Sequence, residues 1–305
     1  MNPTMVEEAA ARIAGRVRTT PVIITEFEGR RVHLKLELLQ YTGSFKPRGA
    51  FNRVLGEAEI PAAGVLAASG GNHGAALAYV ASTLGIPCEI FVAEVTPEIK
   101  RKNIARYGAT VTVAGPQYWD ALAASLERAE ETGACEIHAY DHPATVAGQG
   151  TMARELSSQV ENIGTVFMAA GGGGFIAGAA GWWEGAVDLV AVEPTGAPTI
   201  HAAIAAGHPV PVEVSSVAAD SLGSKIVGEA PFDAISRGVT HSVLVADDDI
   251  RAAQRFLWDE FRLVVEPGGA AALAALHTKA FEPERAGEMV VVVCGSNCDP
   301  NTVTG

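Results

Sequence analysis

The sequence predicts an α/β protein with two parallel-sheet-containing domains. Short apolar runs alternate with amphipathic runs from Gly64 to Tyr140, and the alternation resumes near Ala147. Strands and helices in that rhythm mean parallel sheets covered by helices. Glycine-rich loops stand at two strand-to-helix junctions, and 33 glycines in 305 residues suit a fold with many short connections. The length suggests roughly two domains, and 48% hydrophobic residues supply a large core.

From the N-terminus, Met1 to Arg16 is amphipathic, with Val6, Ala10, Ile13 and Val17 at helical spacing. It lacks the pattern of a signal peptide. In the first alternation strands are expected at 65–68, 88–92, 110–113 and 136–139, with helices over 75–84, 97–107 and 118–131. The second gives a helix from Ala147, a strand at 165–170, a helix at 175–183 and a strand at 188–192, followed by another helix. After a looser stretch come a strand at 242–246, helices at 248–261 and 268–277, and a strand at 289–293.

Composition removes several function classes. Formal net charge is −13 with no long basic block, which disfavours nucleic acid and anionic membrane surfaces. No apolar run reaches the roughly 18 residues of a membrane span, so a cytoplasmic location is expected. Cys88, Cys135, Cys294 and Cys298 lack the spacing of a disulfide framework. Cys294 and Cys298 have no clustered His or Cys partners to complete a metal site.

The chemistry concentrates in glycine-bearing segments. Gly43-Ser44-Phe45-Lys46-Pro47-Arg48-Gly49-Ala50 sets one of six lysines among turn formers and an aromatic, whereas most of the others read as solvated surface charge. A Schiff-base lysine needs a fixed, desolvated place so that its amine is neutral at working pH. Ala68-Ser69-Gly70-Gly71-Asn72-His73-Gly74 lies between a strand-like run and a helix-like run, and so does Gly171-Gly172-Gly173-Gly174. Free backbone N–H groups point out of a helix N-terminus, so each junction can hold an anion. Two such nests imply two anionic groups, for instance a phosphate and a carboxylate. By itself the second unit also reads as a dinucleotide site. Gly172-x-Gly174-x-x-Ala177 meets that fingerprint, and Glu193 ends the next strand about 20 residues on, where a ribose-binding acid belongs. The dinucleotide reading leaves Lys46, the Asn72 loop and Cys294-Gly295-Ser296-Asn297 unexplained.

The Ser-Phe-Lys-Pro-Arg-Gly run around Lys46, the Ser-Gly-Gly-Asn-His-Gly loop from Ser69, the glycines from Gly171 and the late Val293-Cys294-Gly295-Ser296-Asn297 occur in that order. The ordered set resembles the pyridoxal-phosphate (PLP) enzymes of the tryptophan-synthase-β fold type (fold type II), most closely the serine/threonine dehydratases. The resemblance runs from about Thr19 to Asn297 and takes in Ala147-Gly148-Gln149-Gly150-Thr151, Ala219-Asp220-Ser221-Leu222-Gly223 and Glu266-Pro267-Gly268-Gly269. It implies PLP in the cleft between a large domain, 1–56 with 143–305, and a small inserted domain, 57–142. A homodimer is the expected assembly. The chain ends shortly after Asn297, so no appended regulatory domain is expected.

The resemblance also implies roles. Lys46 would carry the cofactor and remove the Cα proton. Gly171, Gly172, Gly173 and Gly174 would close on the cofactor phosphate, aided by the dipole of the following helix. Ser69 and the backbone N–H groups of Gly70, Gly71, Asn72 and His73 would hold the substrate carboxylate, and Asn72 would bond the cofactor's 3′ oxygen. Phe45 would pack on the cofactor. Cys294 matches the position where the family sets Ser or Cys against the pyridine nitrogen, a weaker partner than Asp. Metal-stimulated relatives supply a second carboxylate after the one matching Glu193; here that position is Thr199, so no metal is expected. The implied activity is an ammonia-lyase acting on L-serine and/or L-threonine, with 3-hydroxyaspartate as an alternative substrate. Racemisation is the other alternative. The serine that serine racemases use as a second acid/base matches Gly70, which has no proton to give.

Overall fold

A computed structural model describes residues 1–27 and 29–304. Helix α1 (Pro3–Arg12) starts at Asn2, whose side chain accepts from the Met5 N–H at 3.0 Å. Val6, Ala9 and Ile13 are buried, so the N-terminal stretch is a docked helix.

Strands β1 (Val22–Phe27), β2 (Arg30–Lys35), β7 (Ile163–Ala169), β8 (Asp188–Pro194), β9 (His241–Val245) and β10 (Glu288–Val292) form one sheet in the order β1-β2-β10-β7-β8-β9. Every pairing is parallel except β1 with β2, an antiparallel hairpin at the edge. The sequence pattern does not signal that hairpin. Its outer strand keeps Ile24 56% exposed, so polarity and facing do not alternate there.

Strands β3 (Val65–Ala68), β4 (Cys88–Val92), β5 (Thr110–Val113) and β6 (Cys135–Glu136) form a second, all-parallel sheet in the order β5-β4-β3-β6. Helices α3 (Asn72–Leu84), α4 (Glu98–Ala105) and α5 (Tyr118–Thr132) connect them. The strand expected at 136–139 is a two-residue strand, because the chain beyond it turns its carbonyls elsewhere. Ile137 O accepts from the His73 ring and Ala139 O from Lys46.

The remaining helices are α2 (Lys46–Leu55), α6 (Pro143–Gln159), α7 (Gly174–Trp183), α8 (Thr199–Ala206), α9 (Ala219–Leu222), α10 (Glu229–Gly238), α11 (Asp247–Phe261), α12 (Pro267–His277) and α13 (Asn301–Thr304). Helix α12 is buried from Gly268 to Leu276, as an all-apolar helix must be. Each sheet has its own hydrophobic cluster, and the second one draws Phe51 and Val54 from α2.

Helix α6 fixes the spacing of α2 and α7 through glycine contacts. A Cβ on Gly148 would lie 2.5 Å from Arg48 O and 2.8 Å from Gly49 Cα; one on Gly150 would lie 2.7 Å from Gly178 O. The Gly148-Gln149-Gly150 motif is therefore a packing device that holds the helix of Lys46 and the helix after the four glycines against one body.

Lys35 departs from the surface role read for most lysines. It is fully buried, donates to Thr20 O at 2.8 Å and Gln159 Oε1 at 2.7 Å, and pairs with Glu155. Burial lowers its pKa, opposed by Glu37 and Glu155. Arg48 bonds Glu37 through Nε and Nη2, each at 2.8 Å, and reaches Glu155 at 2.9 Å. Arg48 stands two residues beyond Lys46, so the network anchors the start of α2. Among the described residues no helix is long and apolar enough to cross a membrane.

Candidate active site

Residues just beyond the carboxyl ends of β3, β7 and β10 line one cavity of about 530 Å³, together with Phe45 and Lys46. Lys46 is the first residue of α2, and Pro47 behind it costs no hydrogen bond in a first turn. Its Nζ donates to Ala139 O at 3.1 Å. Burial pulls the Lys46 pKa down to about 8, against opposing effects of Cys294 and Glu266. The amine is thus partly neutral near physiological pH, as a nucleophile or base requires.

Beyond β7, Gly173 takes φ +95 at the start of α7, a conformation open to glycine alone at little cost. The ring of Tyr140 covers the loop: a Cβ on Gly172 would lie 2.6 Å from its Cδ1. The Tyr140 hydroxyl is 2.8 Å from Ser224 Oγ. Helix α7 has no side-chain cap, and among the described residues no protein group accepts from the N–H groups of Gly172, Gly173 or Gly174. A phosphate dianion fits that vacancy of acceptors.

Beyond β3 a second nest has the same build. Helix α3 starts after Gly71 with no side-chain cap, and Ser69 Oγ accepts from the Gly71 N–H at 3.3 Å. The His73 ring turns away and donates from Nε2 to Ile137 O at 2.6 Å. Burial first, then Lys46, push its pKa down to about 3, so the ring is neutral and only the backbone N–H faces the nest. A Cβ on Gly70 would meet the Thr96 side chain, 2.6 Å from Oγ1.

Beyond β10, Cys294 is buried with Sγ donating to Gly268 O at 3.7 Å. Burial raises its pKa strongly, with Glu266 adding, so it stays a neutral thiol. The Phe45 N–H donates to Cys294 O at 3.3 Å. The Phe45 ring stacks on Phe175 of α7 at 3.8 Å and 8°, joining the lysine segment to the glycine loop.

Several lining residues escaped sequence reasoning as individual functional groups. Tyr140 is one. Glu266 is another, buried before α12, and it accepts from Asn72 Nδ2 at 2.6 Å. Asn297 Nδ2 donates in turn to Asn72 Oδ1 at 2.6 Å. Burial lifts the Glu266 pKa to about 7, with the Asn72 bond as the main opposing effect. An acid directly ahead of Pro-Gly-Gly at a helix start was the available signal. Lys100 of α4 pairs with Asp220 of α9, linking an element of the smaller sheet to the segment beside the glycine loop.

Glu193, weighed above as a ribose or cation ligand, holds the start of α8. Its Oε1 and Oε2 accept from the Ile200 and His201 N–H groups, each at 2.7 Å.

The family described as "Pyridoxal-phosphate dependent enzyme" matches residues 13–295. An L-threonine ammonia-lyase of Geobacter sulfurreducens is 36% identical over 99% of this chain and 77% of its own length. A phenylserine dehydratase of Ralstonia pickettii is 37% identical over 96% of this chain and 92% of its own. The solved structure of maize serine racemase superposes with a TM-score of 0.93 at 31% identity, covering 99% of this chain and 95% of that one.

Proposed function

The chain belongs to the pyridoxal-phosphate-dependent enzymes, and on that premise we propose that it is a hydroxy-amino-acid ammonia-lyase converting L-serine and/or L-threonine to a 2-oxo acid and ammonia. The observation that carries the proposal is Lys46, its pKa near 8, in one cavity with two uncapped helix N-termini. When bound, the cofactor withdraws electrons from the substrate's Cα, which makes that proton labile and lets a β-substituent leave.

The chain's own groups set up that chemistry. Gly171 to Gly174 and the first turn of α7 hold the phosphate through backbone N–H groups. Ser69 and the N–H groups of Gly70 to His73 hold the substrate carboxylate. Asn72, fixed by Glu266 and Asn297, has one Nδ2 hydrogen left to orient the cofactor ring. Lys46 binds the cofactor and, once displaced, takes the Cα proton as general base. Cys294, a neutral thiol lining the cavity, would stand against the pyridine nitrogen of the bound cofactor, where it would supply no counter-charge and would favour prompt departure of the β-hydroxyl.

The test is product analysis of the holoenzyme with L-threonine and L-serine. Ammonia and 2-oxo acid should appear in equal amounts. D-Serine forming as fast as pyruvate contradicts the lyase reading and establishes the second one, racemisation. One observation favours that second reading: the Thr96 hydroxyl occupies the space where a residue-70 side chain would project.

A further inference from the structure

The cavity has an end that the roles above leave idle. Phe91 and Ala121 are buried in its lining, and Val95, Tyr118 and Trp119 stand at its rim. Those three are 68%, 44% and 55% exposed, although large apolar side chains ordinarily seek a core. Ile226 lines the cavity as well and is 38% exposed. Apolar surface of this extent inside a concave site marks a ligand contact. It begins beside the place assigned to the substrate carboxylate, because Val95 precedes Thr96, which packs on Gly70.

The wall is a built one. Tyr118 and Trp119 open α5 with their rings edge-on at 5.3 Å. The Gln117 N–H donates to Asp120 Oδ2 at 2.8 Å, which fixes that helix start. Phe91 and Ala121 form a small hydrophobic cluster with Ala68, directly under the Ser69 loop.

On the ammonia-lyase reading, with the carboxylate in the nest and the amine at Lys46, the group left to meet this wall is the β-substituent. Serine offers a hydrogen and threonine a methyl, which cannot cover three large side chains. We infer that the enzyme takes β-hydroxy amino acids with a bulky apolar β-substituent, a phenyl group in the first instance, and that Trp119 sets this preference. A β-carboxylate suits the cavity less well. Asp220 and Glu266 line it, and Lys100 is already paired with Asp220. Lys225, also in the lining, is an exposed side chain. For 3-phenylserine the Cα–H and Cβ–O bonds break, a C=C bond forms and water leaves. Hydrolysis of the resulting enamine, through its imine, then gives phenylpyruvate and ammonia with no oxidant or reductant.

The inference rests on the ammonia-lyase reading, and its test separates the two. Ammonia release by the holoenzyme is measured with 3-phenylserine, L-threonine, L-serine and 3-hydroxyaspartate. Calorimetry measures the affinity of L-phenylalanine and L-alanine, which have no leaving group. Phenylserine should exceed threonine in kcat/KM by at least about tenfold, and L-phenylalanine should bind more tightly than L-alanine. Trp119→Ala should shrink the phenylserine-to-threonine ratio about tenfold, mostly through KM. Threonine or hydroxyaspartate ahead of phenylserine, or a ratio unmoved by Trp119→Ala, overturns the inference and leaves the lyase standing. No ammonia from any of the four substrates overturns the lyase reading, and this inference with it.

Discussion

Gly178→Ala sets two effects of opposite sign against each other. Helix propensity alone favours alanine over glycine inside α7 by about 1 kcal/mol. The crossing with α6 opposes it, because an added Cβ would lie 2.5 Å from Val146 O, 2.8 Å from Gly150 Cα, and in hard contact with Gly150 N. All three are backbone atoms, so no rotamer relieves them. Carbon contacts are comfortable near 3.5 Å, and the helices must therefore part by up to about 1 Å. Overpacking of this kind costs about 1–3 kcal/mol, and backbone on several sides places Gly178 at the upper end. The net loss is about 2 kcal/mol, or roughly 3 °C in Tm for a chain of 305 residues. Helix α7 carries the glycine loop at its N-terminus, so cofactor affinity should fall with the stability. Calorimetry of apo and holo protein with equilibrium dialysis of PLP measures both. An unchanged or raised Tm with intact PLP affinity would refute the glycine-mediated crossing.

Two further outcomes follow from the site. Gly173→Asp puts a side chain at φ +95 and a like charge in the phosphate nest, so PLP occupancy after dialysis should drop at least about tenfold; full occupancy would show that the loop serves another ligand. Trinitrobenzenesulfonate labelling of Lys46 in the apoprotein should rise through pH 8, because the amine is protonated and inert below its pKa of about 8 and neutral above it. At pH 8 its neutral fraction exceeds that of an ordinary lysine by about a hundredfold. A profile matching the surface lysines would contradict the burial.

Much of the fold was legible because strands at 65–68, 88–92 and 110–113 are short apolar runs bounded by turn residues, and the helices between them carry their own periodicity. The β1–β2 hairpin was not, since an edge strand with one wet face and an interrupted pattern carries little signal. The site was legible where chemistry is local in sequence: Lys46 in its turn, the Ser69 loop and the four glycines each declare themselves within a few residues. Glu266 and Tyr140 did not. Their importance comes from contacts with Asn72 and Gly172, far away in the chain and brought close by the two sheets. Lys35 misled for the same reason, because its partner Glu155 comes from another element 120 residues away. The Gly148-Gln149-Gly150 motif was visible but mute, since a glycine that lets helices touch looks like one that admits a ligand.

The most direct test of the central claim is where the cofactor attaches. Borohydride reduction of the holoenzyme, followed by proteolysis and peptide mass spectrometry, locates the pyridoxyl group on one of the six lysines. The group should appear on the peptide containing Lys46 and vanish in Lys46→Ala, whose turnover should fall at least about a thousandfold. A pyridoxyl group on Lys35, Lys100, Lys102, Lys225 or Lys279, or its persistence in the variant, would contradict the assignment.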